Sequence, residues 1–99
     1  MPDILKGKPE TILVVDDNEA TCKYVVAVLE RANFHVLSAD NVANAIALAE
    51  QTAGRIDLLL SDVDMPLMSG PALGQWLKKT RPDLHVMLMS GGQTAIYWC

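Results

Sequence analysis

The stretch Ile56-Asp57-Leu58-Leu59-Leu60-Ser61-Asp62-Val63-Asp64-Met65-Pro66 decides the fold. Its apolar centre predicts a strand buried on both faces, and the strand ends in an aspartate followed by a second aspartate and a proline. An earlier stretch has the same design, Thr11-Ile12-Leu13-Val14-Val15-Asp16-Asp17. Two buried strands that each end in aspartate can bring three carboxylates to one edge of a parallel sheet. Nearby anions raise each other's pKa unless a cation or proton intervenes, so such a cluster indicates a divalent-metal site.

Composition and charge limit the class of protein. The 99 residues form one domain, and 51% apolar with 20% charged residues is typical of a globular chain. The formal net charge of −4 argues against a nucleic-acid partner, which would need a clustered basic face. No apolar stretch approaches the roughly 20 residues that span a membrane, and two cysteines are too few for a disulfide framework. We therefore expect a cytoplasmic protein without a membrane partner.

Apolar periodicity predicts strands and helices in alternation. Strands are expected at 12–15, 34–39, 58–61 and 85–90, and three helices lie between them. Such an order builds an α/β fold with a doubly wound parallel sheet, whose ligands bind where the strand order reverses. Asp16, Asp17, Asp62 and Ser90 all fall at carboxyl ends of the predicted strands.

The ends of these elements carry further signals. We expect Asn33 to end the first helix in the left-handed conformation, and Gly70 to permit a special backbone conformation before the third helix. Along the chain we predict an N-terminal arm at 1–10, the folded domain at 11–92 and a C-terminal tail at 93–99.

Taken together, these residues resemble a known family. From about Thr11 to Gly92 the chain is similar to the receiver domain of two-component response regulators, which has a flavodoxin-like doubly wound fold with five strands. The residues that carry the resemblance are Asp16-Asp17, Asp62, Asp64-Met65-Pro66, Gly70 and Ser90.

The resemblance implies a role for each site residue. Asp62 would accept a phosphoryl group from a histidine kinase or phosphotransfer protein, and would also bind Mg²⁺. Asp17 would bind Mg²⁺ directly, Asp16 through a water molecule and Asp64 through its backbone carbonyl. Ser90 would donate a hydrogen bond to the phosphoryl group. Magnesium prefers hard oxygen ligands of this kind.

The chain departs from the family after its fourth predicted strand. The family continues through a helix, a fifth strand ending in a phosphate-binding lysine and a last helix, whereas no lysine follows Lys79 here. We therefore expect an incomplete receiver fold of about four strands and three helices. The fourth strand would form an exposed edge and the first helix would expose part of its apolar stripe. Both features predict a homodimer, through that edge or through exchanged elements.

Three alternatives remain open. The chain is either an active receiver or a truncated, degenerate one that acts as a dimerisation or docking module independent of phosphorylation. The run from Leu58 to Asp64 also looks like the first motif of haloacid-dehalogenase-type phosphatases, but their further lysine and acid motifs have no room downstream, so we do not expect an enzyme. Asp16 and Asp17 could instead simply cap the first helix.

Overall fold

The sheet and its helices follow the alternation that the sequence predicts. The computed structural model describes residues 10–90 and 93–98, with the backbone alone for Ser90 and 93–98. The strands are β1 (Thr11–Val15), β2 (His35–Ala39), β3 (Leu58–Asp62), β4 (His85–Ser90) and β5 (Gln93–Trp98). The helices are α1 (Glu19–Arg31), α2 (Val42–Gln51) and α3 (Gly70–Lys78). Residues 1–9, most of the predicted N-terminal arm, lie outside the described part.

The five strands form one sheet in the order β2-β1-β3-β4-β5. The first four are parallel, which confirms the predicted doubly wound fold with four strands and three helices. Strand β5 is antiparallel to β4, and Leu88 pairs with Tyr97. The expectation that β4 forms the exposed edge is therefore wrong, and residues 93–98 form a strand rather than a tail. The physical reason is that residues 93–98 include Thr94, Ile96, Tyr97 and Trp98, residue types that favour a strand, and this strand pairs with the backbone of β4.

Helices cover both faces of the sheet. On one face, α1 packs on β1 and β2, and its buried Cys22 joins Ile12 and Val14 in an apolar cluster. On the other face, α2 and α3 cover the main core, whose buried members include Leu13, Val15, Ala45, Leu59, Leu73, Leu77 and Val86. On the face that α1 shares, Leu58 and Leu60 of β3 pack against the Cys22 cluster and are only partly buried. Tyr24 and Val28 of α1 are exposed, which confirms the predicted exposed apolar stripe.

Short polar side chains set the helix starts. The side-chain oxygens of Asn18 and Asn41 accept backbone N–H bonds of 2.9 Å and 2.7 Å at the starts of α1 and α2, and Ser69 does the same for α3. Asn33 has φ 71°, which confirms the predicted left-handed residue after α1. Within the described ranges no helix has the length and apolar character to cross a membrane.

Candidate functional site

Three carboxylates meet at the carboxyl edge of the sheet. Asp16 and Asp17 directly follow β1, and Asp62 is the last residue of β3, which is paired with β1. Carboxylate oxygens of the three residues all lie within 4.8 Å of one another. Strand order reverses here, because β1 has β2 on one side and β3 on the other. The structure thus brings together the three aspartates that the sequence placed at this edge.

The two neighbouring acids differ in burial and in contacts. Asp16 is only 4% exposed, whereas Asp17 is exposed. The Asp16 carboxylate accepts the Asn18 backbone N–H at 2.9 Å, and the Asp16 N–H donates to the Ala39 carbonyl at 3.3 Å. Asn18, rather than either acid, is the residue that caps α1. The reading of Asp16 and Asp17 as simple helix caps is therefore wrong.

Within the described residues the three carboxylates lack a neighbouring positive charge. Burial raises the pKa of the Asp16 carboxyl above its ordinary value of 3.8; the Asn18 N–H opposes this rise, and the charges of Asp62 and Asp17 add to it. Among residues 10–90, no lysine, arginine or histidine forms an ion pair with the three carboxylates. Three hard oxygen donors at this spacing, one of them costly to ionise alone, are a donor set that fits a divalent cation such as Mg²⁺.

Backbone contacts hold Asp62 in place. The buried Ser61 hydroxyl donates to the Asp62 carbonyl at 2.9 Å, while Gly70 lies so close to the same carbonyl that a Cβ there would overlap it. The Gly70 N–H donates to the Val63 carbonyl at 2.8 Å, and the Val63 N–H donates to the Met89 carbonyl at 2.9 Å. These contacts fix the position of the Asp62 backbone, from which the carboxylate side chain extends.

Gly70 has a different role from the predicted one, and Ser61 has a role that the sequence analysis did not predict. Gly70 does not have a positive φ, so its small size serves the close approach to Asp62 and not a special backbone conformation. Sequence reasoning assigned no role to Ser61. A signal was present, because Ser61 is an inward residue of a buried strand, where a hydroxyl needs a hydrogen-bond partner.

The remaining predicted site residues have mixed outcomes. Asp64 lies exposed in the loop after β3, and the metal-binding role of its carbonyl stays a prediction. Ser90 ends β4 as expected, but its side chain lies outside the described part. The proposed roles of Asp16, Asp17 and Asp62 likewise stay predictions, although their placement supports them.

Comparison with known proteins gives consistent matches. The sequence pattern of the response regulator receiver domain matches residues 12–97. The sensor kinase CckA of Brucella abortus is 36% identical over 81 residues, which is 82% of this chain. The chain spans only 9% of the length of that kinase.

Solved structures agree with this sequence match. The receiver domain of the hybrid histidine kinase CckA has a TM-score of 0.69 and 41% identity, covering 85% of this chain and 78% of that one. A response regulator from Burkholderia pseudomallei, solved with a phosphorylated aspartic acid and a calcium ion, has a TM-score of 0.73 and 28% identity. The matched region covers 85% of this chain and 48% of the Burkholderia pseudomallei chain.

Proposed function

The chain belongs to the response regulator receiver domain family, and on that premise we propose that Asp62 accepts a phosphoryl group from a histidine kinase or phosphotransfer protein. The observation that carries the proposal is the convergence of the Asp16, Asp17 and Asp62 carboxylates at the switch point of the sheet. A related response regulator has been solved with a phosphorylated aspartic acid, which supports the same chemistry. The proposed module is a signalling switch and not a turnover enzyme.

Phosphoryl transfer needs a nucleophile and groups that stabilise the negative charge on the phosphoryl oxygens. A carboxylate oxygen of Asp62 attacks phosphorus, the bond from phosphorus to the partner's histidine nitrogen breaks, and the imidazole leaves with the bonding electron pair. The Ser61 and Gly70 contacts hold the Asp62 backbone during this step. Positioning and charge stabilisation dominate phosphoryl transfer, so a fixed nucleophile is the main protein contribution.

The metal part of the proposal rests on the donor set. Asp17 and Asp62 would hold Mg²⁺ directly, Asp16 through water and Asp64 through its carbonyl. When bound, the ion would neutralise the negative charge that develops on the phosphoryl oxygens. The spacing of the Asp16, Asp17 and Asp62 carboxylates supports this assignment, because oxygen donors within 4.8 Å of one another suit Mg²⁺. We include a cytoplasmic location in the proposal, because the two cysteines of the sequence are too few for a disulfide framework.

Intact-mass measurement after incubation with Mg²⁺ and acetyl phosphate tests the proposal. We expect one phosphoryl adduct in the wild type, none in Asp62→Asn and none without Mg²⁺. Asp40→Asn is the matched control, since Asp40 follows β2 at the same edge but lies outside the cluster. Phosphorylation at Asp62 would be refuted if Asp40→Asn lost the adduct as Asp62→Asn does, or if the folded wild type formed no adduct.

A second candidate function is docking or dimerisation without phosphorylation. The observation that favours it is the apolar surface beside α1, where Tyr24 is 71% and Val28 47% exposed. Leu60 and Met87 pair on the adjoining sheet face, where both side chains are only partly buried. Because β4 is paired with β5, this face replaces the β4 edge as the proposed homodimer surface.

Sedimentation velocity tests the homodimer. The wild type should sediment as a concentration-dependent dimer, and Tyr24→Lys with Val28→Lys should sediment as a folded monomer. Trp76→Lys is the control, because Trp76 is also 47% exposed but belongs to α3 on the opposite face. A monomeric wild type would remove the dimer proposal and leave the phosphorylation proposal untouched.

A further inference from the structure

Leu67 combines two features that folded chains normally avoid. Its φ of 77° lies in the left-handed region, where the Cβ of a leucine crowds the backbone. Its side chain is also 90% exposed, more than any other large hydrophobic residue in the described part of the chain. Asn33, the other described non-glycine residue with positive φ, is of a type that tolerates this conformation. Strain of this kind persists where the surrounding structure enforces it, and it clusters at functional sites.

Neighbouring residues enforce the conformation of Leu67. Met65 and Met68, on either side of it, pack against the main core. The hydrogen bond of 2.8 Å from the Gly70 N–H to the Val63 carbonyl closes the loop at its base. The loop is therefore anchored on both sides of its exposed residue. Leu67 is held out in solvent instead of folding back over the core.

The loop also limits how far Leu67 can lie from the phosphoacceptor. Gly70 touches the Asp62 carbonyl, and three steps of about 3.8 Å put Leu67 within roughly 11 Å of Gly70. A phosphodonor protein must bring its phosphorus atom into contact with the Asp62 carboxylate. A single helix is about 10–12 Å across, a width comparable to this distance, so a folded donor seated on Asp62 has the loop that carries the exposed Leu67 within reach.

From these observations, and resting on the proposed phosphorylation of Asp62, we propose that Leu67 is a docking residue for the phosphodonor protein. Its side chain inserts into an apolar recess of the donor beside the phosphohistidine. A preformed, exposed apolar side chain loses little further freedom on binding, which favours its use as an anchor. Leu67 acts on recognition of the protein donor and takes no part in the chemistry at Asp62. A small donor such as acetyl phosphate makes no such contact.

Rates of phosphorylation from two kinds of donor test the inference. The small donor is acetyl phosphate, and the protein donor is the phosphorylated kinase core of the Brucella abortus sensor kinase CckA without its own receiver domain. Leu67→Asn should lower kcat/KM from the protein donor by about 10- to 100-fold, the value of burying one leucine side chain, and leave the acetyl phosphate rate unchanged. Leu67→Met, which keeps an apolar side chain, should retain most of the transfer. Trp76→Ala, an exposed hydrophobic residue near the far end of α3, should change neither rate.

Each other outcome has a distinct meaning. Equal protein-donor rates for the wild type and Leu67→Asn overturn the inference, and so does a parallel fall with both donors, because Leu67 would then shape the site itself. Acceptance from acetyl phosphate without transfer from the kinase core to the wild type also overturns it. Failure of acetyl phosphate to label the wild type refutes the proposed function instead, so the two failures are separable.

Discussion

Replacement of Gly70 by alanine should destabilise the fold and displace the candidate phosphoacceptor. An added Cβ would overlap the Asp62 carbonyl oxygen and approach the Leu88 side chain to 3.0 Å. The carbonyl cannot move freely, because Ser61 donates to it and the following Val63 N–H donates to Met89. Either α3 or the end of β3 must therefore shift.

The magnitude follows from the contacts that such a shift affects. Forcing a methyl group into a packed site costs about 1–3 kcal/mol. Moving the start of α3 also strains the bond from the Gly70 N–H to the Val63 carbonyl, a contact worth about 1 kcal/mol. Alanine in a helix recovers up to about 1 kcal/mol relative to glycine. We therefore expect a net loss of about 2 kcal/mol in the free energy of unfolding.

Urea unfolding of three glycine-to-alanine variants measures this effect. Gly54→Ala is the control, because nothing lies within 4 Å of the added Cβ and the substitution acts only by lowering the conformational entropy of the unfolded chain. Its free energy of unfolding should rise by about 0.4–1 kcal/mol. Gly74→Ala lies in the same helix and meets the Val86 methyl groups at 3.0 Å and 3.1 Å. Its loss should be smaller than that of Gly70→Ala, because a side chain can adjust where a backbone carbonyl cannot.

The same variants should differ in phosphorylation. Gly70→Ala should lower the acetyl phosphate rate under conditions where the variant is folded, because the displaced Asp62 backbone moves the nucleophile. Gly74→Ala should retain the wild-type rate. If Gly70→Ala is as stable as Gly54→Ala, or if it is unstable yet phosphorylated normally, the proposed clamp on Asp62 is refuted.

The further predictions concern three side chains, those of Asp16, Arg81 and Leu67. In the metal-free protein, Asp16→Asn should raise the free energy of unfolding at pH 7, because burial raises the pKa of Asp16 and so penalises its charged form. This penalty is lost as the pH falls through the raised pKa toward 3.8, the ordinary value. The free energies of unfolding of the two proteins, measured by urea titration, should therefore converge on acidification. The same variant should weaken Mg²⁺ binding in calorimetry, and unchanged binding would count against a metal role. Arg81→Ala should lose about 2–3 kcal/mol in urea unfolding, because the guanidinium donates to the carbonyls of Ala49, Thr52 and Gly54 at 2.8–3.0 Å, and a loss below about 0.5 kcal/mol would contradict this role. Leu67→Asn should raise the thermal midpoint by relieving about 1 kcal/mol of strain, whereas a lower midpoint would mean that the left-handed leucine costs nothing.

The sequence by itself determined the alternation of strands and helices and the edge at which the aspartates meet. These features depend on short-range signals, namely apolar runs such as Ile12 to Val15 and the polar residues at their ends. They also depend on the general rule that the carboxyl ends of neighbouring parallel strands lie at the same edge. The placement of Asp16, Asp17 and Asp62 together therefore needed no knowledge of particular side-chain contacts.

Only the tertiary structure decided how the site is built around those aspartates. The close approach of Gly70 to Asp62, the burial of Asp16 beside the exposed Asp17, and the return of β5 along β4 all join segments whose pairing no local pattern specifies. The left-handed Leu67 is likewise set by the anchoring of its loop on the core, against the preference of leucine itself. Local sequence sets which elements form, whereas contacts between distant residues set the distances and burial on which the chemistry depends.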